Sequence, residues 1–241
     1  MLAGVALNVV SPVALAAFYV GSLGMRVLRK APYVRLGYGG QGACLELRPS
    51  LSRVPYRHDG LDTYWKIGIA MPNVDIAYDQ LCNAGIAISE PRQFQEIGYM
   101  CHFSDPEGFQ IELLQHTFQD QTRTAAGDPA LPLGGSGEIG QITLRTADIG
   151  GALDLYQTKW GMRLLSVQPV EDRDFTLYFL AHTDESPPDP DTEAVGNRPW
   201  LWQRPYTTLE LQHLRNPASR IRPPSPDETG YAELLFEDIE P

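Results

Sequence analysis

Residues 139–161, IGQITLRTADIGGALDLYQTKWG, change hydrophobic period once. Ile139 to Thr146 alternate apolar and polar side chains, as a half-buried strand does, while Ile149 to Trp160 follow a helical period and stop at Gly161. Asp148 stands where a helix N-cap is wanted. Strand-like runs follow at 162–170 (MRLLSVQPV), 175–182 (FTLYFLAH) and 206–213 (YTTLELQH), so the order is βαβββ. Residues 185–197, ESPPDPDTEAVGN, interrupt the last two without any apolar period and read as an exposed loop insertion.

The same order occurs twice upstream. At 65–72, WKIGIAMP reads as a strand, Asn73 as an N-cap, and 74–85 (VDIAYDQLCNAG) as a helix closed by Gly85. Residues 86–91 (IAISEP), 98–108 (GYMCHFSDPEG) and 109–115 (FQIELLQ) supply three strands, the second ending in an Asp-Pro-Glu-Gly turn. Nearer the start, VALNVV at 5–10, Ser11-Pro12 and the helix VALAAFYVGSLG at 13–24 lead into runs at 25–30, 33–38 and 43–49. A repeat at this period is an architectural signal. It predicts an α+β fold of tandem βαβββ modules, three of them plus the first strand of a fourth, forming cupped mixed sheets. Modules at 1–55 and 60–118 make a first domain. The Gly- and Pro-rich stretch 119–138 is a linker. Residues 139–241 make a second domain, with a module at 139–214, a linker at 215–229 and a terminal strand at 230–241. A lone strand cannot bury its own apolar face, so this last one needs another module or a second chain, as in a homodimer that completes the fourth module.

Composition narrows the partners. Thirty acidic against nineteen basic residues give a net charge of −11, which disfavours nucleic acid and anionic membranes. Three scattered cysteines, Cys44, Cys82 and Cys101, fit a reducing, cytoplasmic setting and read as small core residues. The apolar start of the chain lacks the basic residues a signal peptide requires, and Pro12 interrupts it short of a membrane span.

The motifs QITLRTAD, F-T-L-Y-F-L-A and T-L-E-L-Q-H in module three resemble the glyoxalase I-like branch of the vicinal-oxygen-chelate superfamily. So do KIGIAMPNV and DPEGFQIELL in module two, and ACLEL in module one. The resemblance implies a His or Gln on first strands and a Glu on last strands, converging from two facing modules on a divalent metal of the Ni, Co, Zn or Mg class. Such nitrogen and oxygen donors suit a six-coordinate ion with positions open to substrate oxygens. The matching last-strand residues are Glu46, Glu112 and Glu210; the first-strand ones are Gly4, Lys66, Gln141 and, in the terminal strand, Glu233. The resemblance thus implies a metal set of Gln141, Glu210 and Glu112, with Glu112 and Glu210 as the catalytic carboxylates and Arg145 gripping a substrate carboxylate; Lys66 is a second candidate substrate-binding residue.

The implied activity is that of a metal-dependent lyase or isomerase acting on a small oxygenated metabolite by proton abstraction and enediolate stabilisation. Lys66 points to an alternative. An ammonium only donates hydrogen bonds and repels a metal cation, so inside the cup it would neutralise the carboxylates itself. That arrangement implies a metal-free, non-catalytic module that binds or sequesters a small molecule. Which modules pair is left open: two with three brings Lys66, Glu112, Gln141 and Glu210 together, whereas three with four brings Glu233 to Gln141 and Glu210. The five histidines, His58, His102, His116, His182 and His213, form no metal-binding pattern and read as structural.

Overall fold

The structure is a computed structural model that describes residues 1–216 and 220–237. Module one contains strand β1 (Leu2–Val9), helix α1 (Pro12–Leu23) and strands β2 (Arg26–Arg29), β3 (Val34–Gly37) and β4 (Cys44–Pro49). Module two contains β5 (Tyr64–Met71), α2 (Val74–Asn83), β6 (Arg92–Phe94), β7 (Gly98–Ser104) and β8 (Gln110–Gln115). Module three contains β9 (Glu138–Thr146), α3 (Ile149–Leu153), β10 (Arg163–Val170), β11 (Phe175–Ala181), α4 (Asn197–Leu201) and β12 (Thr208–Leu214). Strand β13 (Gly230–Phe236) follows. This strand lies within the segment 230–241, of which 238–241 lie outside the described residues.

Local chemistry explains these elements. The Asn73 side chain accepts the Asp75 amide at the start of α2, and the Asp148 carboxylate accepts the Gly151 amide at the start of α3. At the end of α1, Gly24 turns at φ 70°, a left-handed conformation that suits glycine. Helix α3 widens into a π-helical turn, Asp154–Lys159, before stopping at Gly161. One strand moves from its expected place. Residues 86–91 contribute only a bridge from Ile88 to Phe103, and the edge strand forms at β6. Pro91 removes a donor and biases the residue before it, so pairing resumes only after the proline.

The modules assemble into two sheets. One has the order β13-β1-β4-β3-β2, the other β10-β11-β12-β9-β5-β8-β7-β6. In each complete module the first and last strands run side by side and parallel: β1 with β4, β5 with β8, β9 with β12. Modules two and three join through the antiparallel pair β5–β9, where Gly68 lies opposite Gln141. A side chain at Gly68 would collide with that of Gln141, so glycine is what lets the modules meet here. The sheets therefore group the modules across the 119–138 boundary read from composition. Strand β13 returns to the first module and pairs with β1, with Glu233 opposite Ala6.

Residues 119–138 also do more than link. Leu133 is buried against the helices, and the Gln80 side chain of α2 donates to the carbonyls of Pro129 and Leu131. The Asp-Pro-Glu-Gly turn after β7 holds module one to module two: the Glu107 carboxylate accepts the amides of Val10 and Ser11, and Asp105 accepts the Tyr19 hydroxyl. Burial pushes the Asp105 carboxyl up to about 6. The chief core is continuous between the sheets and includes Leu7, Leu45, Tyr64, Phe109, Ile111 and Leu209. Cys44 and Cys101 are buried, as expected of small core residues, whereas Cys82 is exposed. No helix among the described residues is long and apolar enough to cross a membrane.

Candidate functional site

Four neighbouring strands at the centre of the larger sheet, β12, β9, β5 and β8, each turn one polar side chain toward the same place. These are Glu210, Gln141, Lys66 and Glu112, all buried. Gly68 lies opposite both Glu112 and Gln141, and the space it leaves lets the longer side chains converge. Of the two pairings left open by the sequence, the structure adopts that of modules two and three.

At the centre is the Lys66 ammonium. It donates to Glu210 Oε2 at 2.8 Å and to Glu112 Oε1 at 3.1 Å, and only 1% of the residue is exposed. Burial works to discharge this lysine, but the two carboxylates outweigh it and raise its pKa above the usual range. Gln141 Nε2 donates to Glu112 Oε1 at 2.5 Å, and the Thr143 hydroxyl donates to Glu210 Oε2 at 2.5 Å. Burial also acts to raise the Glu112 pKa, yet Lys66 and His102 bring it down to about 2. The carboxylates thus already have their cation. A divalent ion at the same point would face an ammonium, and the residues present do not fit one. Among the described residues no cluster of three or more His, Cys, Asp or Glu side chains is arranged to hold a metal ion. Gln141, Glu210 and Glu112, which the resemblance implied as metal ligands, therefore meet around a lysine.

The other expected residues lie elsewhere. Glu46 is buried in the smaller sheet, where Arg29, Arg35 and Arg48 bind it at 2.8, 2.6 and 2.8 Å. Burial opposes ionisation there too, and the arginines overcome it, so its pKa falls. Glu233 pairs with Arg48 at 2.8 Å and does not approach Gln141 or Glu210. Both sheets thus hold buried carboxylates that the chain's own cations neutralise. Arg145, expected to grip a substrate, is buried and braces the protein. Its Nε donates to Gln212 Oε1 at 2.8 Å, and its Nη1 reaches the carbonyls of Asp59, Asp62 and Tyr64.

Above the polar floor is a cavity of about 260 Å³. Trp65, Phe94, Phe175, Phe179 and Trp202 supply aromatic walls, and Arg92 and Arg173 stand among the lining residues as exposed cations. Two contributors were missed from sequence. His102, read as structural, lines the cavity with its Nε2 2.8 Å from Glu112 Oε2 and its ring parallel to that of Trp65. It sits directly opposite Glu112 in the β7–β8 pair. Counting back through the hairpin from the Asp-Pro-Glu-Gly turn could have found it. The second is the insertion 185–197, which is exposed only in part. Its end runs into α4, and Trp202 packs edge-on against Phe179 while donating to the Ile97 carbonyl at 3.1 Å. Arg198 likewise donates to the Glu96 carbonyl at 2.6 Å. The insertion of module three thus closes onto module two, a role its Pro- and Asp-rich half concealed.

Paired βαβββ modules around a central polar floor make an α+β architecture of the kind the sequence motifs implied. Residues 2–113, a little under half of the chain, match the family described as the Glyoxalase/Bleomycin resistance protein/Dioxygenase superfamily. Among solved structures, glyoxalase I from Zea mays aligns with a TM-score of 0.68 at 20% identity, over 97% of this chain and 72% of that one. A putative dioxygenase from Bacillus subtilis subsp. subtilis str. 168 aligns with a TM-score of 0.52 at 16% identity, over 96% of this chain and 66% of that one. At such identities these likenesses establish the shared fold alone. No curated protein matches the sequence.

Proposed function

We propose that this chain is a metal-free small-molecule-binding protein built on the glyoxalase fold, with its ligand held in the cavity between modules two and three. The observation that carries the reading is the Lys66 ammonium, 2.8 Å from Glu210 and 3.1 Å from Glu112. A buried carboxylate pair needs a counter-charge, and the chain supplies it from its own side chain. The metal-dependent lyase implied by the sequence resemblance needs that same point for a metal and its substrate oxygens. No catalytic step is therefore derived through Gln141, Glu112 or Glu210. What supports binding is a concave, largely aromatic cavity with a few fixed polar groups at its base, the common form of a small-molecule site.

The reading is tested by measuring bound metal in protein purified without chelator, followed by calorimetric titration with nickel, cobalt and zinc. Absence of stoichiometric binding at micromolar metal is the expected result. One tightly bound ion per chain, lost in Glu210→Ala, would overturn the reading and restore the lyase.

A further inference from the structure

The floor of the cavity has one buried cation, Lys66, against two buried carboxylates, Glu112 and Glu210, while Arg92 and Arg173 stand exposed at its wall. At the floor the carboxylates outnumber the cation, so nothing there calls for an anionic group. The two carboxylates differ in hydrogen bonding. Glu112 uses both oxygens, Oε1 for Lys66 and Gln141 and Oε2 for His102. Glu210 receives Lys66 and Thr143 on Oε2 alone. Its Oε1 takes no hydrogen bond from a described residue, although the residue is only 1% exposed and lines the cavity. That oxygen is open to the cavity, and the cavity side is where a further donor can be brought.

We infer that the ligand is a flat, uncharged aromatic molecule bearing one hydrogen-bond donor, a phenolic hydroxyl or an aryl N–H, which it gives to Glu210 Oε1. This rests on the binding function proposed above and names its ligand class. The aromatic body lies among Trp65, Phe175, Phe179 and Trp202, and the volume of about 260 Å³ admits two fused rings. Gln212, two residues along β12 and also lining the cavity, is oriented by Arg145. Because arginine can only donate, the amide oxygen must face Arg145, which leaves the Gln212 nitrogen to serve an acceptor on the ligand. An anionic ligand would instead place its charge against Glu210, and a ligand without a donor would leave Oε1 unsatisfied.

Equilibrium dialysis of the wild-type chain against 2-naphthol, 2-methoxynaphthalene and 2-naphthoate at neutral pH tests the inference. A hydrogen bond to a charged acceptor makes 2-naphthol bind about tenfold or more tighter than its methyl ether. The naphthoate is weaker still. In folded Glu210→Gln the preference for naphthol over the ether shrinks several-fold, and Phe175→Glu, at the half-buried wall, abolishes binding of both. Equal affinity for naphthol and ether, tightest binding of the naphthoate, or naphthol binding that survives Phe175→Glu would each overturn the inference. None of these would disturb the metal-free reading, which the metal titration decides separately. Failure of all three probes to bind also overturns the inference.

Discussion

Lys66 Nζ and Glu210 Oε2 are 2.8 Å apart across two modules, the lysine on β5 of module two and the glutamate on β12 of module three. The ion pair thus spans the β5–β9 seam at which the two modules meet. Modules two and three are tied by a charge contact that neither can make alone.

Removing the cation leaves two buried carboxylates facing each other. Lys66→Met should destabilise the protein by roughly 3–5 kcal/mol, the usual cost of breaking one side of a buried pair. Urea unfolding measures it, and a loss below about 1 kcal/mol would contradict the central role given to this side chain.

Replacing Lys66 by His supplies a neutral nitrogen at a first-strand position beside Glu112, Gln141 and Glu210. The expected outcome is a gained affinity for zinc or nickel, read as a metal-dependent rise in melting temperature that the wild type lacks. Identical responses in the two proteins would show that Lys66 does not control cation access.

The Glu112 pKa of about 2 has a defined pH signature. A carboxyl depressed on folding contributes its stability above its unfolded value, near 4.5, and loses it as pH falls toward 2. Wild type should therefore lose stability relative to Glu112→Gln across that window, with little change in their difference between pH 6 and 7. Paired denaturation curves test this, and a constant difference down to pH 2.5 would refute it.

Arg145→Ala should act on stability more than on ligand choice. It withdraws a guanidinium from Gln212 and from three backbone carbonyls, a loss of about 2–3 kcal/mol. A large drop in ligand affinity with unchanged stability would return Arg145 to the substrate-gripping role that its sequence position implied.

The repeat was legible because a βαβββ module writes its hydrophobic period into every element, and Asn73, Asp148 and Gly24 mark helix ends by local chemistry. Placing equivalent strand positions in register brought Lys66, Glu112, Gln141 and Glu210 together only in one of the two pairings left open. What remained hidden depended on tertiary facts. His102 acquires its place from cross-strand register, and Trp202 from an insertion that folds back to meet the Ile97 carbonyl. Which modules would share a sheet was also beyond local pattern, since β13 can pair with any exposed first strand and the structure puts it beside β1. Arg145 occupies a position that implied ligand contact, yet its donors are spent on backbone that no sequence period reveals.

The lysine in the cup has one further consequence. A bound ion exchanges with its surroundings, so a site that relies on one responds to chelators, to metal starvation and to competition among metals. An ammonium tethered to β5 is in no such exchange. Its supply is fixed at translation, one per polypeptide, and the readiness of the cavity becomes independent of the metal economy of whatever compartment holds the protein.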